Sequence, residues 1–167
     1  MTKIVIFCKT SFSQGMGHLV RQTHIAKVLQ NRGDKITFFL PDYPPAQAWL
    51  NKHGFSGKTL SDPTAVTEKE TALLDLILLD IQDTTEEFIK RIRQNNIAVV
   101  SFEDRGEGSN HVDLLIDCNR NPEEAVALDV QNFFGHPYCV LAPEFEMFHA
   151  KKRQFQKSIQ SVLITLG

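Results

Sequence analysis

The stretch SFSQGMGHLVRQTHIAKVLQNRG, residues 11–33, constrains the fold of this 167-residue chain more than any other. The run before it, Ile4–Cys8, is short, apolar and rich in β-branched residues, which is typical of a strand buried on both faces of a parallel sheet. After Gly17 the apolar residues recur at helical spacing, and Gly33 lies where a helix commonly ends in a left-handed residue. This order of strand, glycine loop and helix predicts a ligand site at the carboxyl edge of an α/β sheet, beside the helix N-terminus.

A histidine, His18, follows the glycine loop directly. Because the positive end of the helix dipole disfavours an imidazolium, we expect His18 to be neutral and able to accept a proton. Gly15 and Gly17 have no side chains, so a substrate can approach the loop closely, and Arg21 lies on the same helix face as His18. The loop therefore offers a base and a cation. The alternative is that the glycines only form a tight turn and that His18 only caps it.

Two common glycine motifs do not fit this loop. A dinucleotide-binding G-x-G-x-x-G motif fails because Val20 stands where the third glycine should be. A phosphate-binding G-x-x-x-x-G-K-[ST] loop fails because no Gly-Lys-Ser/Thr follows. The loop therefore belongs to neither of these nucleotide-binding classes.

Strand and helix patterns alternate along the rest of the chain, which calls for a parallel sheet with helices on both faces. Further strands are predicted at residues 35–40, 76–79, 97–102, 112–117, 137–141 and 161–167. Helices are predicted from Pro44 to Gly54, from a capping box of Thr84 and Glu87 to Asn95–Asn96, and over residues 144–157. The polar segment 56–70 is predicted to be a connecting loop that becomes helical around residues 68–74.

Polar residues follow several of these strands, where they would share one edge with His18. Asp80 could contact substrate or be an ordinary cap or loop acid, and Glu103 and Asp104 could each serve a ligand or the fold. Asn119 could donate to a sugar hydroxyl, although asparagine is common in turns for structural reasons. We expect the glycine-rich segment 106–110 to be a flexible loop that can close over a ligand.

The motif Gly15-Met16-Gly17-His18-Leu19-Val20-Arg21 resembles the Gly-x-Gly-His-x-x-Arg pattern of one enzyme family. This family comprises the nucleotide-sugar hydrolases of the pseudaminic acid pathway and the related spore-coat polysaccharide biosynthesis proteins. They belong with the two-domain glycosyltransferases of the B type. Further matches extend along the chain at Leu78-Leu79-Asp80, Ser101-Phe102-Glu103-Asp104, Asp117-Cys118-Asn119 and Pro143-Glu144-Phe145.

The resemblance implies a Rossmann-like, three-layer α/β fold that forms the N-terminal half of a B-type glycosyltransferase fold. It implies that His18 is the catalytic base, which removes a proton from the water that attacks a nucleotide-activated, UDP- or CMP-linked amino sugar. The substrate would be bound by Gly15, Gly17, Arg21, Asp80, Glu103, Asp104 and Asn119. No cofactor or metal is expected. The alternatives are an inverting glycosyltransferase, in which a sugar hydroxyl replaces the water, and a non-catalytic sugar-binding module.

Family members continue beyond the point where this sequence ends, at Leu166-Gly167. We therefore expect residues 1–157 to be the N-terminal domain on the sugar or acceptor side, with residues 158–167 forming the first strand of a C-terminal nucleotide-binding domain. That second domain would be the principal partner.

Composition narrows the class of partner. Eighteen basic and twenty acidic residues give a net charge of −2, which is not the charge pattern of a nucleic-acid-binding protein. The sequence has three widely spaced cysteines, Cys8, Cys118 and Cys139, which do not have the spacing of a zinc site. Two of them lie in apolar, strand-like surroundings, which suits reduced thiols in a cytoplasmic protein. The N-terminal apolar run of five residues is too short for a signal peptide or a membrane span.

Overall fold

The computed structural model describes residues 1–62, 66–94, 96–127, 129–152 and 158–164. Seven strands form one parallel sheet in the order β3-β2-β1-β4-β5-β6-β7. The strands are β1 (Lys3–Cys8), β2 (Lys35–Leu40), β3 (Gly57–Thr59), β4 (Leu76–Asp80), β5 (Ala98–Phe102), β6 (Leu114–Asp117) and β7 (Gln131–Phe134). The first six strands follow the order of a doubly wound dinucleotide-binding fold, which confirms the predicted Rossmann-like class.

Helices cover both faces of the sheet, as predicted. They are α1 (Gly17–Asn31), α2 (Pro44–Lys52), α3 (Glu68–Thr71), α4 (Glu86–Ile92) and α5 (Glu146–His149). Alternate residues of β1 point to opposite faces, so that Ile6 packs in one cluster with α1 and α2, whereas Phe7 packs with α4 in another. The two clusters form the cores of a three-layer domain.

The chain order reverses between β1 and β4, which are neighbours although they are far apart in sequence. Their register pairs Cys8 with Asp80, so both strands end at the same level of the sheet edge. The loop after β1 and the first turn of α1 therefore lie beside the end of β4. Open α/β sheets bind their ligands at this kind of crevice.

Strand β3 lies within the segment that the sequence predicts to be irregular. Its three residues pair with β2, with Phe38 opposite Gly57. A strand of three residues is too short to show an alternation of apolar and polar residues, so it is recognised only from its pairing with β2.

Helix α4 begins and ends at different residues from those predicted. Its N-cap is Thr85, whose hydroxyl oxygen accepts a hydrogen bond from the Phe88 backbone N–H at 3.2 Å. Thr84 is not the cap, because its side chain bonds to Asp104 instead. The helix ends at Ile92, before the predicted Asn95–Asn96, and Asn95 lies outside the described residues.

The segment 106–110 is not a mobile lid, and that prediction is wrong. Residues 107–111 form a 3-10 turn that packs against α4, and Gly108 and Ser109 are buried. A Cβ atom on Gly106 would lie 2.2 Å from the Thr84 carbonyl oxygen. The glycines therefore permit close packing here and not motion.

The C-terminal third departs most from the predictions. The strand in this region is β7, which lies earlier in the chain than the predicted strand 137–141. The first residues of the predicted strand belong instead to a 3-10 turn, residues 136–138, which follows Gly135 at φ 96°. The predicted helix 144–157 is a 3-10 turn followed by the short α5, and residues 153–157 lie outside the described residues. Cys8 is buried as expected, whereas Cys118 is partly exposed and Cys139 is exposed.

Residues 158–164 are exposed and make no strand pairing with the rest of the described chain, and residues 165–167 lie outside it. The division at residue 157 therefore stays a prediction. Within the described residues, no helix is both long enough and apolar enough to cross a membrane.

Candidate functional site

Three predicted site residues meet where β1 and β4 end. His18 lies in the first turn of α1, and its Nδ1 atom is 2.5 Å from Oδ1 of Asp80, the last residue of β4. Arg21 donates to both Asp80 oxygens, from Nε to Oδ2 and from Nη2 to Oδ1, each at 2.7 Å. The Asp80 side chain is completely buried, so these donors replace the water that an ionised carboxylate requires.

A fourth donor, from Gln22, was not identified from the sequence. Its Nε2 atom donates to Asp80 Oδ2 at 3.0 Å, and the residue is fully buried. His18, Arg21 and Gln22 are at helical positions i, i+3 and i+4, so one face of α1 presents all of them to β4. The available signal was a long polar side chain on the inner face of the helix, where Leu19, Thr23 and Ala26 are also buried.

Asp80 is ionised in this setting. Burial tends to raise the pKa of Asp80, but the hydrogen bonds that Arg21 and His18 donate outweigh it and hold this pKa below its ordinary value of 3.8. An anionic Asp80 can only accept hydrogen bonds, so the proton in the short contact with His18 belongs to the imidazole Nδ1. Nη2 of Arg21, 3.3 Å from Nδ1, is a second donor to the same Asp80 oxygen.

The contact with Asp80 fixes the chemistry of the other imidazole nitrogen. With Nδ1 protonated, Nε2 of neutral His18 carries a lone pair and can accept a proton. The His18 side chain is 18% exposed, so it is held in place and still reachable. A carboxylate that orients a histidine in this way also stabilises the imidazolium that forms after proton transfer.

A second carboxylate, Glu103, extends this arrangement across the sheet edge. Its Oε1 atom is 2.5 Å from Nη1 of Arg21, and it accepts from Asn119 Nδ2 at 2.9 Å and from the Cys118 thiol at 3.4 Å. Glu103 directly follows β5 and has a left-handed backbone, with φ 52°. That conformation is strained for a residue other than glycine, and its occurrence here is typical of functional sites.

The contacts around Glu103 determine which of these side chains are charged. Burial tends to raise the pKa of Glu103, but the hydrogen bond from Arg21 outweighs it and lowers the pKa below the ordinary value. Burial and the hydrogen bond to Glu103 raise the pKa of Cys118 to about 12, so this thiol is a neutral donor. Asp80, Glu103 and Arg21 together carry one net negative charge, which protonation of His18 would neutralise. The His18 imidazole therefore lies beside a group with net negative charge.

Arg21 does not offer a free cation to a substrate. Burial tends to lower the pKa of its guanidinium, but the hydrogen bonds to Asp80 and Glu103 raise it, so the group stays charged. Nε and Nη2 bind Asp80 and Nη1 binds Glu103, so the three nitrogens are occupied by protein carboxylates. Arg21 therefore positions both carboxylates, which is a different role from the substrate contact expected of it.

Asp104 does not join the site. Its side chain is buried and accepts hydrogen bonds from the backbone N–H groups of Thr84 and Gly106, at 3.1 and 2.9 Å, and from the Thr84 and Ser101 hydroxyls. Burial raises the pKa of Asp104 above its ordinary value, against the effect of these hydrogen bonds. Asp104 therefore fastens the loop after β5 to the start of α4, and the structure gives its side chain no access to a ligand.

The glycine loop leaves space in front of the site. Gly15 closes a tight turn with φ 73°, and its N–H donates to the Ser11 carbonyl at 2.9 Å. A Cβ atom on Gly17 would meet no heavy atom within 4 Å. In the described structure no side chain caps the N-terminus of α1, and its first turn contains no acidic residue. A ligand can therefore approach the backbone N–H groups of that turn.

We compared the chain with known proteins. It is similar to a spore coat polysaccharide biosynthesis protein. That relative, SpsG of Bacillus subtilis (strain 168), is 25% identical over 171 residues, which cover 97% of this chain and 49% of SpsG. The chain thus spans about half the length of this curated relative. No protein-family profile matches the chain.

The structural comparison adds a fold likeness only. A crystal structure from Sinorhizobium meliloti 1021, provisionally called a myo-inositol dehydrogenase, gives a TM-score of 0.45 at 14% sequence identity. The match covers 81% of this chain and 36% of that protein. Likeness at this level carries no argument about activity.

Proposed function

We propose that this chain is the catalytic-base half of an enzyme that acts on a nucleotide-activated amino sugar in polysaccharide biosynthesis. The observation that carries the proposal is the 2.5 Å contact between His18 Nδ1 and Asp80 Oδ1, which leaves Nε2 free to accept a proton at an open edge of the sheet. The similarity to SpsG supports the polysaccharide setting.

In this mechanism a water molecule lies beside Nε2 of His18. Its oxygen attacks the anomeric carbon of the sugar while its proton passes to Nε2. The bond between that carbon and the phosphate oxygen breaks, and the nucleotide, UDP or CMP, leaves with the electron pair. Asp80 stabilises the resulting imidazolium, and Arg21 and Gln22 hold Asp80 in place. General-base catalysis of this kind contributes roughly 10²- to 10⁴-fold in rate.

A glycosyltransferase would use the same residues with a different nucleophile. If a sugar hydroxyl takes the position of the water, His18 removes the proton from that hydroxyl and the sugar is transferred instead of hydrolysed. The polar edge extends beyond Glu103 to Asn119, which would supply hydrogen-bonding groups to such an acceptor. Hydrolysis of a UDP- or CMP-linked amino sugar in the cytoplasm is our first proposal, and transfer is the second.

Because this chain matches about half of SpsG, we further propose that the nucleotide is held mainly by a second domain of the B type. Residues 1–157 would then be the sugar or acceptor side of the cleft, and residues 158–167 would lead into the nucleotide-binding domain. Gly15, Gly17, Glu103 and Asn119 keep their proposed role as ligand contacts, since the structure leaves them at least partly accessible.

The proposal is tested by measuring the release of UDP or CMP from a panel of UDP- and CMP-linked amino sugars. The assay uses this chain and the longest form that its gene encodes, each as wild type, His18→Gln and His24→Gln. His24 is a matched control, because it lies on the same helix about 120° around from His18. We expect His18→Gln to lose at least about 100-fold in rate, while His24→Gln stays near wild type.

Two results would contradict the proposal. Release that persists in His18→Gln would show that His18 is not the base. Saturable binding of the nucleotide sugar without release by any form would favour a non-catalytic sugar-binding module. With a sugar acceptor present, a glycoside product in place of free sugar would identify transfer.

A further inference from the structure

A polar cavity lies on the sheet edge that carries His18, beside the ends of β5 and β6. It has a volume of about 350 Å³ and is lined by Arg105, Asn119, Arg120 and Glu124. These residues follow β5 and β6, one and two strands beyond β4. Asn119 joins the cavity to the site described above, since its Nδ2 atom donates to Glu103, which in turn pairs with Arg21.

Arg120 is held in a fixed orientation at this cavity. Its Nε atom is 3.2 Å from Asp117 Oδ2, its Nη2 atom donates to the Asp104 carbonyl at 3.1 Å, and its guanidinium lies 5.2 Å from the centre of the Phe134 ring. The Arg120 side chain is only 17% exposed. The folded protein therefore already holds this side chain in place, so ligand binding would not lose the conformational entropy of ordering it.

Arg105 supplies a second guanidinium, which differs from that of Arg120 because Arg120 pairs with the Asp117 carboxylate. The residue is exposed, and within the described ranges its side chain has no ion-pair or hydrogen-bond partner. The four lining residues carry two positive charges and one negative charge, and Asp117 pairs with Arg120, so the charge of Arg105 is the one left for an anion. The planar N–H arrays of both guanidinium groups match the oxygens of a carboxylate or a phosphate.

The remaining lining groups suit hydroxyl groups. Asn119 uses its amide nitrogen for Glu103, which leaves its amide oxygen as an acceptor. The Glu124 carboxylate is a further acceptor on the rim and disfavours a second anionic group beside it. A ligand that satisfies all four residues therefore carries one anionic group together with hydroxyls.

The position of the cavity bears on which part of a substrate would occupy it. Neighbouring strands are about 4.8 Å apart, so the end of β6 lies roughly 10 Å from the end of β4, where Asp80 holds His18. That separation is greater than one sugar ring. The group in the cavity would therefore not belong to the ring whose anomeric carbon lies beside His18.

We infer that this cavity binds the carboxylate or phosphate group of an anionic sugar that serves as the acceptor. The anion site rests on Arg105 and Arg120 alone, whereas the acceptor role rests on the proposed function in its second form, sugar transfer. In that form the enzyme would transfer its sugar to a sugar that carries a carboxylate or phosphate group.

The test is a calorimetric titration of the 167-residue chain with glucuronic acid, glucose 6-phosphate, glucose and inorganic phosphate. Wild type should bind the two charged sugars at least about tenfold more tightly than glucose, and more weakly as salt is added. Arg105→Gln should weaken binding of the charged sugars by roughly 10- to 100-fold. Because the Arg105 side chain is exposed and unpaired within the described structure, this variant should fold normally.

The matched control is Arg32→Gln, another exposed arginine that caps α1 at the opposite edge of the sheet and should have no effect. Tighter binding of glucuronic acid would identify a carboxylate ligand, and tighter binding of glucose 6-phosphate a phosphate ligand. Equal binding of charged and neutral sugars, or equal binding by wild type and Arg105→Gln, would overturn the inference. Inorganic phosphate binding as tightly as glucose 6-phosphate would overturn the sugar assignment.

Failure of this inference can be separated from failure of the proposed function. If His18-dependent release occurs but Arg105→Gln binds as wild type does, the cavity is not the acceptor site and the function stands. If charged sugars bind through Arg105 but no form releases nucleotide, the anion site stands and the proposed function fails.

Discussion

At the scale of single residues, the site depends on Asp80. A fully buried carboxylate would be costly without partners, and here it accepts hydrogen bonds from His18, Arg21 and Gln22. Removing it would leave the Arg21 guanidinium with only Glu103 and would free the imidazole to rotate. Asp80 is therefore needed both for stability and for the orientation of His18.

The effect of pH on stability should show this role. The folded pKa of Asp80 is below its ordinary value of 3.8, so its contribution to stability is present above the ordinary value and is lost as the pH falls from there through the lower folded pKa. We expect Asp80→Asn to lower the free energy of unfolding by about 3 kcal/mol at neutral pH. The difference from wild type should shrink below about pH 4. Urea unfolding of wild type and Asp80→Asn from low to neutral pH measures this difference in unfolding free energy. A difference that is the same at low and neutral pH would contradict the role given to Asp80.

Asp104 illustrates a carboxylate whose role is structural. Asp104→Ala would leave the buried N–H groups of Thr84 and Gly106 without an acceptor, which should cost about 2–4 kcal/mol of unfolding free energy. Asp104→Asn keeps one oxygen for those N–H groups and can donate to the hydroxyls of Thr84 and Ser101, so it should cost much less. Thermal or urea unfolding compares the two variants. Equal losses would show that charge, and not the accepting oxygen, is what the fold requires.

At the scale of elements, two glycines that look alike in the sequence have opposite roles. Gly106 packs against the backbone that leads into α4, and Gly17 faces open space in the site. Gly106→Ala should therefore destabilise the fold by roughly 3 kcal/mol or more, as overpacking does when backbone must move. Gly17→Ala should leave the melting temperature near that of wild type. If Gly106→Ala were also harmless, the segment 106–110 would be mobile after all.

The elements that the sequence predicts well are those with a local signal. Helix α1 has a glycine loop before it, apolar residues at helical spacing and a terminal Gly33 whose φ is 94°, and the structure has the helix where expected. Strand β3 and the 3-10 turn at residues 107–111 have no such signal, because strand pairing and packing against α4 define them. Around residues 131–141 the apolar run is short and contains Pro137, so the pattern placed the strand too late.

For the candidate site too, the sequence predicts what depends on local signals and does not predict what depends on long-range contacts. The sequence places His18, Asp80, Glu103 and Asn119 at one edge, because each follows a strand or begins the helix after one. Which carboxylate meets which base depends on strand register and burial, and these are properties of the folded chain. The sequence therefore could not assign Asp80 to His18, Glu103 to Arg21 and Asp104 to Thr84, and it overlooked Gln22.

At the scale of the whole molecule, the site exists because the sheet reverses its order between β1 and β4. His18 and Asp80 are 62 positions apart, and only this strand order makes their elements neighbours. The same edge continues through β5 to β6, so the proposed base and the proposed anion cavity lie along one crevice. The proposed function therefore depends on the contact between His18 and Asp80 that this reversal creates.

Nitrogen NMR of the six histidines tests that contact most directly. At about pH 8.5, above the ordinary titration range of histidine, the shifts of the two ring nitrogens report which one carries the proton. We predict that His18 is protonated at Nδ1 in the wild type, and that Asp80→Asn weakens or abolishes this preference while the other histidines keep their shifts. A wild-type His18 protonated at Nε2 would contradict the account, because the nitrogen proposed to accept the proton would already hold one.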